Sequence, residues 1–217
     1  MPTRSYTNIK MFSQCPHKYK AMIIDKSIPF STTREQQSGI NVHAALEAAV
    51  SKGVALPPEF SNYQVIVDKI RSMPGQLFCE HRLAIKTDLA PSGYFDKDAW
   101  YRGILDVLVV EDKFARIMDY KEGNDAYQDD DQLRENAILV FSNFPNVDTI
   151  KASFIYLQMG RVTLLEIKRE DLADLVLKVS KKEVPMLRAE KMNSFPVQKS
   201  HLCNYCQVNT CRYYNRG

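Results

Sequence analysis

The sequence has no long hydrophobic run. No stretch reaches the roughly 20 apolar residues that a bilayer-spanning helix needs, so we predict no membrane span and no membrane partner. The N-terminus also has no apolar segment of the kind found in a secretory signal peptide. We therefore expect a cytoplasmic protein, in a prokaryotic cell or in the cytoplasm of a host cell infected by a virus.

A large excess of charge of one sign is also missing. The 217 residues carry 29 Lys and Arg against 26 Asp and Glu, which gives a formal net charge of +3. This balance excludes a polycation that binds nucleic acid through its overall charge, so such binding needs a local basic surface. Helicase activity is not encoded, because the sequence has no Gly-X-X-X-X-Gly-Lys-Ser/Thr loop.

Cysteine is sparse and unevenly placed. The chain has five cysteines, an odd number that does not suit a disulfide scaffold, and Cys203, Cys206 and Cys211 fall in the last 15 residues. Thiolates at this spacing can converge on one metal centre. The residues leave two centres open. One is a zinc ion held by the three cysteines plus His201 or Cys15, and the other is a [4Fe–4S] cluster with Cys15 as the fourth ligand.

Acidic residues are concentrated around a predicted β-hairpin. If Asp112 and Lys113 form its turn, Asp106 faces Asp119 across the two strands, and Lys121 projects from the same face as Asp119. Two facing carboxylates repel each other unless something neutralises them. Mg²⁺ prefers carboxylate oxygens, and a lysine can position water or stabilise developing charge, so this pattern suggests metal-dependent phosphodiester cleavage. The alternative is a pair of solvated acids beside a surface lysine.

Three further polar residues lie on predicted regular elements. His43 follows Gly39 by four residues on a helix predicted to begin with a capping box, Thr32-X-X-Glu35, and to end near Gly53. Glu80 lies in a predicted strand that precedes the hairpin. Gln132 begins a helix after the acidic run Asp129–Asp131. By themselves these residues could equally be packed or solvent-exposed.

The order of these motifs resembles a known family. Asp106 followed by Asp119-Tyr120-Lys121 is similar to the Asp…Asp-X-Lys signature of the PD-(D/E)XK nuclease superfamily. Gly-X-X-X-His upstream of the hairpin, a Gly-X-X-Asp form at Asp106, a glutamine after it and an N-terminal Cys-Pro resemble the RecB-like branch that carries an iron–sulfur cluster. Within that branch the chain is similar to Cas-four-type CRISPR-associated exonucleases and to the nuclease domain of AddB.

The resemblance implies a role for each candidate residue. The implied ligands of Mg²⁺ or Mn²⁺ are His43, Asp106, Asp119 and the Tyr120 carbonyl. The implied catalytic residues, besides the two aspartates, are Lys121, Glu80 and Gln132. The implied ligands of a structural [4Fe–4S] cluster are Cys15, Cys203, Cys206 and Cys211. The sequence departs from the branch at Asn136, where a tyrosine usually follows the glutamine by four residues.

The fold implied by the resemblance is α/β. It has a restriction-endonuclease-like core in which helices flank a central mixed β-sheet, and a metal cluster joins the N- and C-terminal segments. We expect a single nuclease domain over residues 1–217, with a core at 25–194 and a cluster-binding subdomain at 1–24 and 195–217. The implied activity is DNA exonuclease activity on single strands or ends. The alternatives are a non-catalytic DNA-binding adaptor and a zinc-binding interaction protein. A homo-oligomer, or recombination or CRISPR partner proteins, would suit the same resemblance. Tyr6, Phe12 and Tyr19 are candidates for stacking on DNA bases.

Overall fold

The computed structural model describes residues 2–32, 34–123 and 129–217, with no side chains described for residues 34–36. The predicted capping box therefore depends on a side chain, that of Glu35, which lies outside the described residues. The chain divides into two compact units. We call residues 1–32 and 176–217 the terminal unit, and residues 33–175 the central unit. The predicted boundaries at residues 24/25 and 194/195 stay a prediction.

The regular elements follow the predicted order along the chain. The helices are α1 Tyr6–Gln14, α2 Pro16–Tyr19, α3 Arg34–Lys52, α4 Gln64–Arg71, α5 Asp131–Asn143 and α6 Leu172–Lys191. The strands are β1 Gln76–Ile85, β2 Pro91–Ser92, β3 Tyr101–Glu111, β4 Phe114–Lys121, β5 Thr149–Tyr156, β6 Arg161–Val162 and β7 Leu165–Lys168. A π-helical turn at Lys20–Ile24 follows α2, and short 3₁₀ turns occupy Pro58–Tyr63, Arg169–Asp171 and His201–Tyr205. Within the described residues, no helix is long and apolar enough to cross a bilayer.

The central unit contains a seven-stranded mixed sheet in the order β2-β1-β3-β4-β5-β6, with β7 also paired to β5. Strands β4 and β5 run parallel, whereas the other described pairs are antiparallel. A parallel pair needs a crossover connection, and α5 provides it between β4 and β5. The sheet with its flanking helices is the α/β architecture that the sequence predicts.

The register of the β3–β4 hairpin agrees with the predicted turn. Glu111 pairs with Phe114 and Val107 with Met118, so Asp112 and Lys113 form the turn. Asp112 has a φ of 49°, which a short polar residue tolerates in a tight turn. The same register places Asp106 opposite Asp119, at the end of the hairpin away from the turn.

Helices cover both faces of the sheet around this hairpin. One apolar cluster joins α3 and α4 to β3, β4 and β5; its members include Leu46, Val67, Val107, Met118 and Tyr120. Because side chains alternate along a strand, the residues next to Met118 and Tyr120 point to the opposite face, where α5 packs. The hairpin therefore directs Asp119 towards α5.

Helix ends agree with the sequence at Gly53 and differ from it at Pro185. Gly53 directly follows α3 with a φ of 69°, a left-handed conformation that glycine adopts at low cost. A proline inside a helix is expected to kink or end it, but α6 continues past Pro185 to Lys191. Pro185 is exposed, so water can hydrogen-bond to the carbonyl that loses its partner, and the buried Met186 and Ala189 anchor the next turn.

Candidate active site and cysteine centre

The two hairpin aspartates meet where β3 and β4 separate. The last pair in their ladder is Val107 with Met118. At the next position the carboxylate of Asp106 accepts a hydrogen bond from the backbone N–H of Tyr120, at 2.8 Å from Oδ2. The side chain thus takes the place of a ladder bond, which fixes the Asp106 carboxylate beside the Asp119-Tyr120-Lys121 segment.

Asp119, Lys121 and Gln132 form a closed set of polar contacts. Lys121 Nζ lies 2.6 Å from Asp119 Oδ2 and donates a hydrogen bond to Gln132 Oε1 at 2.8 Å. Gln132 Nε2 in turn donates to Asp119 Oδ1 at 2.6 Å. Asp119 is 4% exposed, and the approach of Lys121 to Oδ2 is an ion pair without hydrogen-bond geometry, so this buried oxygen has no hydrogen-bond partner among the described residues.

His43, Glu80 and Asp106 form a second group of polar side chains. Each offers one potential ligand atom, and the three atoms all lie within 4.8 Å of one another. His43 Nδ1 is 3.4 Å from Asp106 Oδ2. The ring of Tyr120 packs edge-on against His43, with 5.6 Å between ring centroids. The predicted residues from α3, β1 and β3 are therefore brought together.

Glu80 reaches this group through an unusual backbone conformation. Its φ is 47°, in the left-handed region that a residue with a Cβ rarely adopts. The β1–β3 ladder is regular on both sides, with Cys79 opposite Val107 and His81 opposite Leu105, and Glu80 lies between these pairs, opposite Asp106. Backbone strain of this kind is often found at functional sites, where it positions a side chain.

The pKa values of the three acids at this site are raised, with burial as the largest cause. Burial raises the pKa of Asp106 to about 8; the charge of Asp119 adds to the rise, and the Tyr120 N–H opposes it. Burial also raises the pKa of Asp119, against the nearby charge of Lys121. Burial raises the pKa of Glu80 as well, and the charge of Glu47 adds to it. Carboxylates shifted in this direction gain from a bound cation.

The donor set suits a hard divalent cation. Burial lowers the pKa of His43 although Asp119 opposes this, so the imidazole is neutral at pH 7 and its nitrogen can act as a ligand. The 3.4 Å approach of His43 to Asp106 is therefore not an ion pair. Clustered carboxylates, a neutral imidazole and the hydrogen-bond-free oxygen of Asp119 fit Mg²⁺ or Mn²⁺.

Glu47 is a residue at this site that was not predicted. Its charge raises the pKa of both Glu80 and Cys79, which places its carboxylate near β1. Glu47 follows His43 by four residues on α3, so both side chains lie on one helix face. That spacing was a usable signal in the sequence. Cys79 packs against the apolar cluster, as expected for a core residue.

The four candidate cluster ligands lie around one cavity of the terminal unit. Cys15, Cys203, Cys206 and Cys211 all line it, and all are free thiols. Cys15 occupies the junction between α1 and α2, where its backbone is extended. His201, the alternative fourth ligand, is not among the lining residues.

The predicted base-stacking role of the N-terminal aromatic residues is wrong for two of them. Tyr19 and Phe12 are 0% and 8% exposed, and they pack edge-on against each other with 5.6 Å between centroids. Their rings belong to the interior and have no face open to a base. Tyr6 is partly exposed, and its hydroxyl accepts a hydrogen bond from Lys10 at 2.7 Å.

Comparison with known families identifies the chain. The model of the PD-(D/E)XK nuclease superfamily matches residues 3–211. The chain belongs to the PD-(D/E)XK nuclease superfamily. As a member of this superfamily it has a restriction-endonuclease-like core; the superfamily uses divalent metal ions, and His43, Glu80 and Asp106 form a group of potential ligands.

Two solved structures resemble this PD-(D/E)XK chain. A candidate exonuclease from Eubacterium rectale has a TM-score of 0.55 and 14% identity, with coverage of 95% of this chain and 88% of the other. A protein designated SSO0001 has a TM-score of 0.50 and 14% identity, with coverage of 99% and 88%. At this identity the likeness concerns the fold alone. No curated protein sequence matches the chain significantly.

Proposed function

We propose that the protein is a Mg²⁺- or Mn²⁺-dependent deoxyribonuclease that acts as an exonuclease on single-stranded DNA or DNA ends. The observation that carries this proposal is the convergence of Asp106, Asp119 and Lys121 beside His43 and Glu80, in a chain of a nuclease superfamily. Clustered acids that can hold a divalent cation, next to a lysine, suit metal-assisted hydrolysis of a phosphodiester.

The residues that would hold the cation are His43, Asp106, Asp119 and the carbonyl of Tyr120, with Glu80 beside them. A bound Mg²⁺ or Mn²⁺ polarises a phosphoryl oxygen and lowers the pKa of a coordinated water. The imidazole of His43 is a borderline ligand and favours Mn²⁺ in addition to Mg²⁺.

Lys121 is held at one point by two partners. Asp119 and Gln132 fix its ammonium group, and its side chain remains 33% exposed. In this position the ammonium would orient the attacking water and stabilise the negative charge that develops on the phosphate. Gln132 would act by positioning, since it contacts both Lys121 and Asp119.

The cysteine cavity supports a [4Fe–4S] cluster as a second, structural cofactor. Among the described residues, the one group of three or more potential ligands within 4.8 Å of one another is His43, Glu80 and Asp106, so no three of the four sulfurs meet this distance. A single zinc ion with Zn–S bonds of about 2.3 Å needs sulfurs about 3.8 Å apart. A [4Fe–4S] cluster accepts one thiolate at each of its separate iron atoms and suits the wider arrangement.

The nuclease proposal is tested by cleavage of end-labelled single-stranded DNA in Mn²⁺, by anaerobically purified protein. We expect wild type to cleave and Asp119→Asn to be inactive while it keeps the wild-type unfolding transition. Asp148→Asn is the matched control, because this exposed carboxylate also faces a lysine, 3.8 Å away. A folded Asp119→Asn protein that cleaves at the wild-type rate would falsify the assignment, and DNA binding without cleavage would favour the adaptor alternative.

The cofactor proposal is tested by metal analysis of the same preparation. We expect about four iron atoms and four sulfides per chain, and their loss in Cys206→Ala. A colourless protein with one zinc ion per chain would contradict the cluster and favour the zinc alternative. The cytoplasmic location, the homo-oligomer and the recombination or CRISPR partners stay predictions.

A further inference from the structure

Two arginines and two aromatic residues form a compact patch on the central unit. The Cζ atom of Arg82 lies 5.7 Å from the ring centroid of Tyr94 and 5.8 Å from that of Phe95. The Cζ atom of Arg102 lies 4.9 Å from the Tyr94 centroid. The two rings meet edge-on at 5.1 Å. We call these four residues the arginine–aromatic patch.

The patch adjoins the acidic site along β1. Arg82 follows Glu80 by two residues, about 7 Å along a strand, and its charge opposes the rise in the pKa of Glu80. Arg102 lies on the neighbouring strand, opposite Ala84. The patch therefore begins two residues along β1 from Glu80, which belongs to the group His43, Glu80 and Asp106.

The two guanidinium groups place positive charge beside one tyrosine ring. Both lie within 6 Å of the same tyrosine ring, and within the described ranges neither Arg82 nor Arg102 forms an ion pair with an acid. Like charges held close together on paired strands are unfavourable. An anion bound between them, such as a phosphate whose oxygens accept paired hydrogen bonds from a planar guanidinium, would relieve this repulsion.

The loop that holds the aromatic rings is fixed by backbone hydrogen bonds. The N–H of Gly93 donates to Asp96 Oδ2 at 2.8 Å, and the N–H of Asp96 donates back to the Gly93 carbonyl at 3.0 Å. Arg102 Nη1 donates to the Tyr94 carbonyl at 3.2 Å. Phe95 is nevertheless 75% exposed. A large apolar ring held in solvent by an ordered loop indicates a binding role, since it gains nothing from the core.

We propose that the arginine–aromatic patch binds single-stranded DNA next to the bond that is cleaved. Phe95 would stack on a base, while Arg82 and Arg102 would contact the phosphates that flank it. Stacking on an aromatic ring needs an unpaired base, because the bases of a duplex are already stacked on each other. The inference deepens the proposed function and rests on it, since it identifies the single-stranded part of the substrate.

The test measures binding separately from cleavage. The wild-type chain in EDTA is titrated into labelled oligothymidine and followed by fluorescence anisotropy. Base stacking contributes about 1–3 kcal/mol per base, so Phe95→Ala should weaken single-strand binding by about 5- to 150-fold. Arg82→Ala and Arg102→Ala should each weaken it and reduce its salt dependence. The affinity for a blunt duplex should change little in Phe95→Ala.

The chain offers a matched control with the same chemistry. The ring of Phe114 carries Arg116 at 4.5 Å and Lys151 at 5.6 Å, but it begins β4, seven residues from Lys121, and Arg116 is paired with Glu111 at 3.2 Å. The double variant Phe114→Ala/Lys151→Ala should bind oligothymidine as wild type does.

Equal affinity for single-stranded DNA in wild type, Phe95→Ala and Arg82→Ala would contradict the proposed binding role of the patch. If this result came with active cleavage, the nuclease proposal would stand without the patch. If the patch variants lost binding while wild type did not cleave in Mn²⁺, the binding site would stand and the proposed function would fail.

Discussion

The two units hold buried charge in opposite ways. In the terminal unit, Arg4 is 1% exposed and its guanidinium is shared between two carboxylates: Nε lies 2.8 Å from Glu183, and two nitrogens reach Glu190 at 2.8 and 2.9 Å. Tyr19 donates a further hydrogen bond to Glu190 at 2.8 Å. In the central unit, Glu80, Asp106 and Asp119 all have raised pKa values, and Lys121 contacts Asp119 at 2.6 Å.

The direction of the carboxylate pKa separates these two arrangements. Burial alone would raise the pKa of Glu190, but hydrogen bonds from Arg4 and Tyr19 outweigh it and lower that pKa below its usual value. The pKa values of Asp106 and Asp119 are raised, because burial exceeds the effect of Lys121, and the charge of Asp119 adds to the rise for Asp106. Charge that is balanced within the chain supports the fold, whereas unbalanced charge indicates a site for an external cation.

The largest expected effect is on stability in the terminal unit. Arg4→Met leaves Glu183 and Glu190 without their cation, and breaking a buried pair in this way costs about 3–5 kcal/mol. Urea unfolding should show this loss, while Lys20→Met, which breaks the partly exposed pair with Asp25, should cost under about 1 kcal/mol. A loss below about 1 kcal/mol for Arg4→Met would show that the network is not structural.

The next effect is on catalysis in the central unit. Lys121→Met removes the one lysine that touches Asp119, and single-turnover cleavage in Mn²⁺ should fall about 10²- to 10³-fold because the developing charge loses its donor. Lys113→Met, which alters a surface lysine 3.8 Å from Asp148, should leave the rate unchanged. A Lys121→Met rate within a few-fold of wild type would remove this lysine from the chemistry.

A smaller expected effect is a difference between the two units in how their stability depends on pH. Asp106 has a raised folded-state pKa, so its protonated form stabilises metal-free protein in acid, and this contribution is lost as the pH rises through about 8. In EDTA at pH 8, Asp106→Asn should therefore be more stable than wild type, by at least about 1 kcal/mol, with the difference shrinking towards pH 4.

Glu190 provides the opposite case for that measurement. Its folded-state pKa is lowered, so its contribution is present above its usual pKa and is lost as the pH falls through the lower value. Glu190→Gln should destabilise the protein at pH 7, with a smaller effect in strong acid. If Asp106→Asn and Glu190→Gln changed the free energy of unfolding in the same direction at pH 8, the two units would not differ in how they hold their carboxyl groups.

The sequence was sufficient to predict those parts of the site whose geometry depends on local turn and strand rules. A two-residue turn at Asp112 and Lys113 sets the hairpin register, and the two-residue period of a strand then places Asp119 and Lys121 on one face. Gln132 and His43 could be assigned only through the family resemblance, because helix periodicity alone does not say which strand a helix residue will meet.

The remaining features depend on tertiary structure. The left-handed backbone of Glu80 has no sequence signal, since residues with a Cβ rarely adopt it. The arginine–aromatic patch requires the loop after β1 to fold back so that Tyr94 meets Arg82 and Arg102. The continuation of α6 past Pro185 also depends on tertiary structure, because burial of the following turn outweighs the tendency of proline to end a helix.

The central claim is that the excess negative charge of the central unit is completed by a divalent cation. Calorimetric titration of Mn²⁺ into EDTA-treated and desalted protein at neutral pH tests it directly. We predict saturable binding by wild type and by Asp148→Asn, and at least about 10-fold weaker binding by Asp106→Asn and His43→Ala. Equal Mn²⁺ affinity in all four proteins would contradict the account.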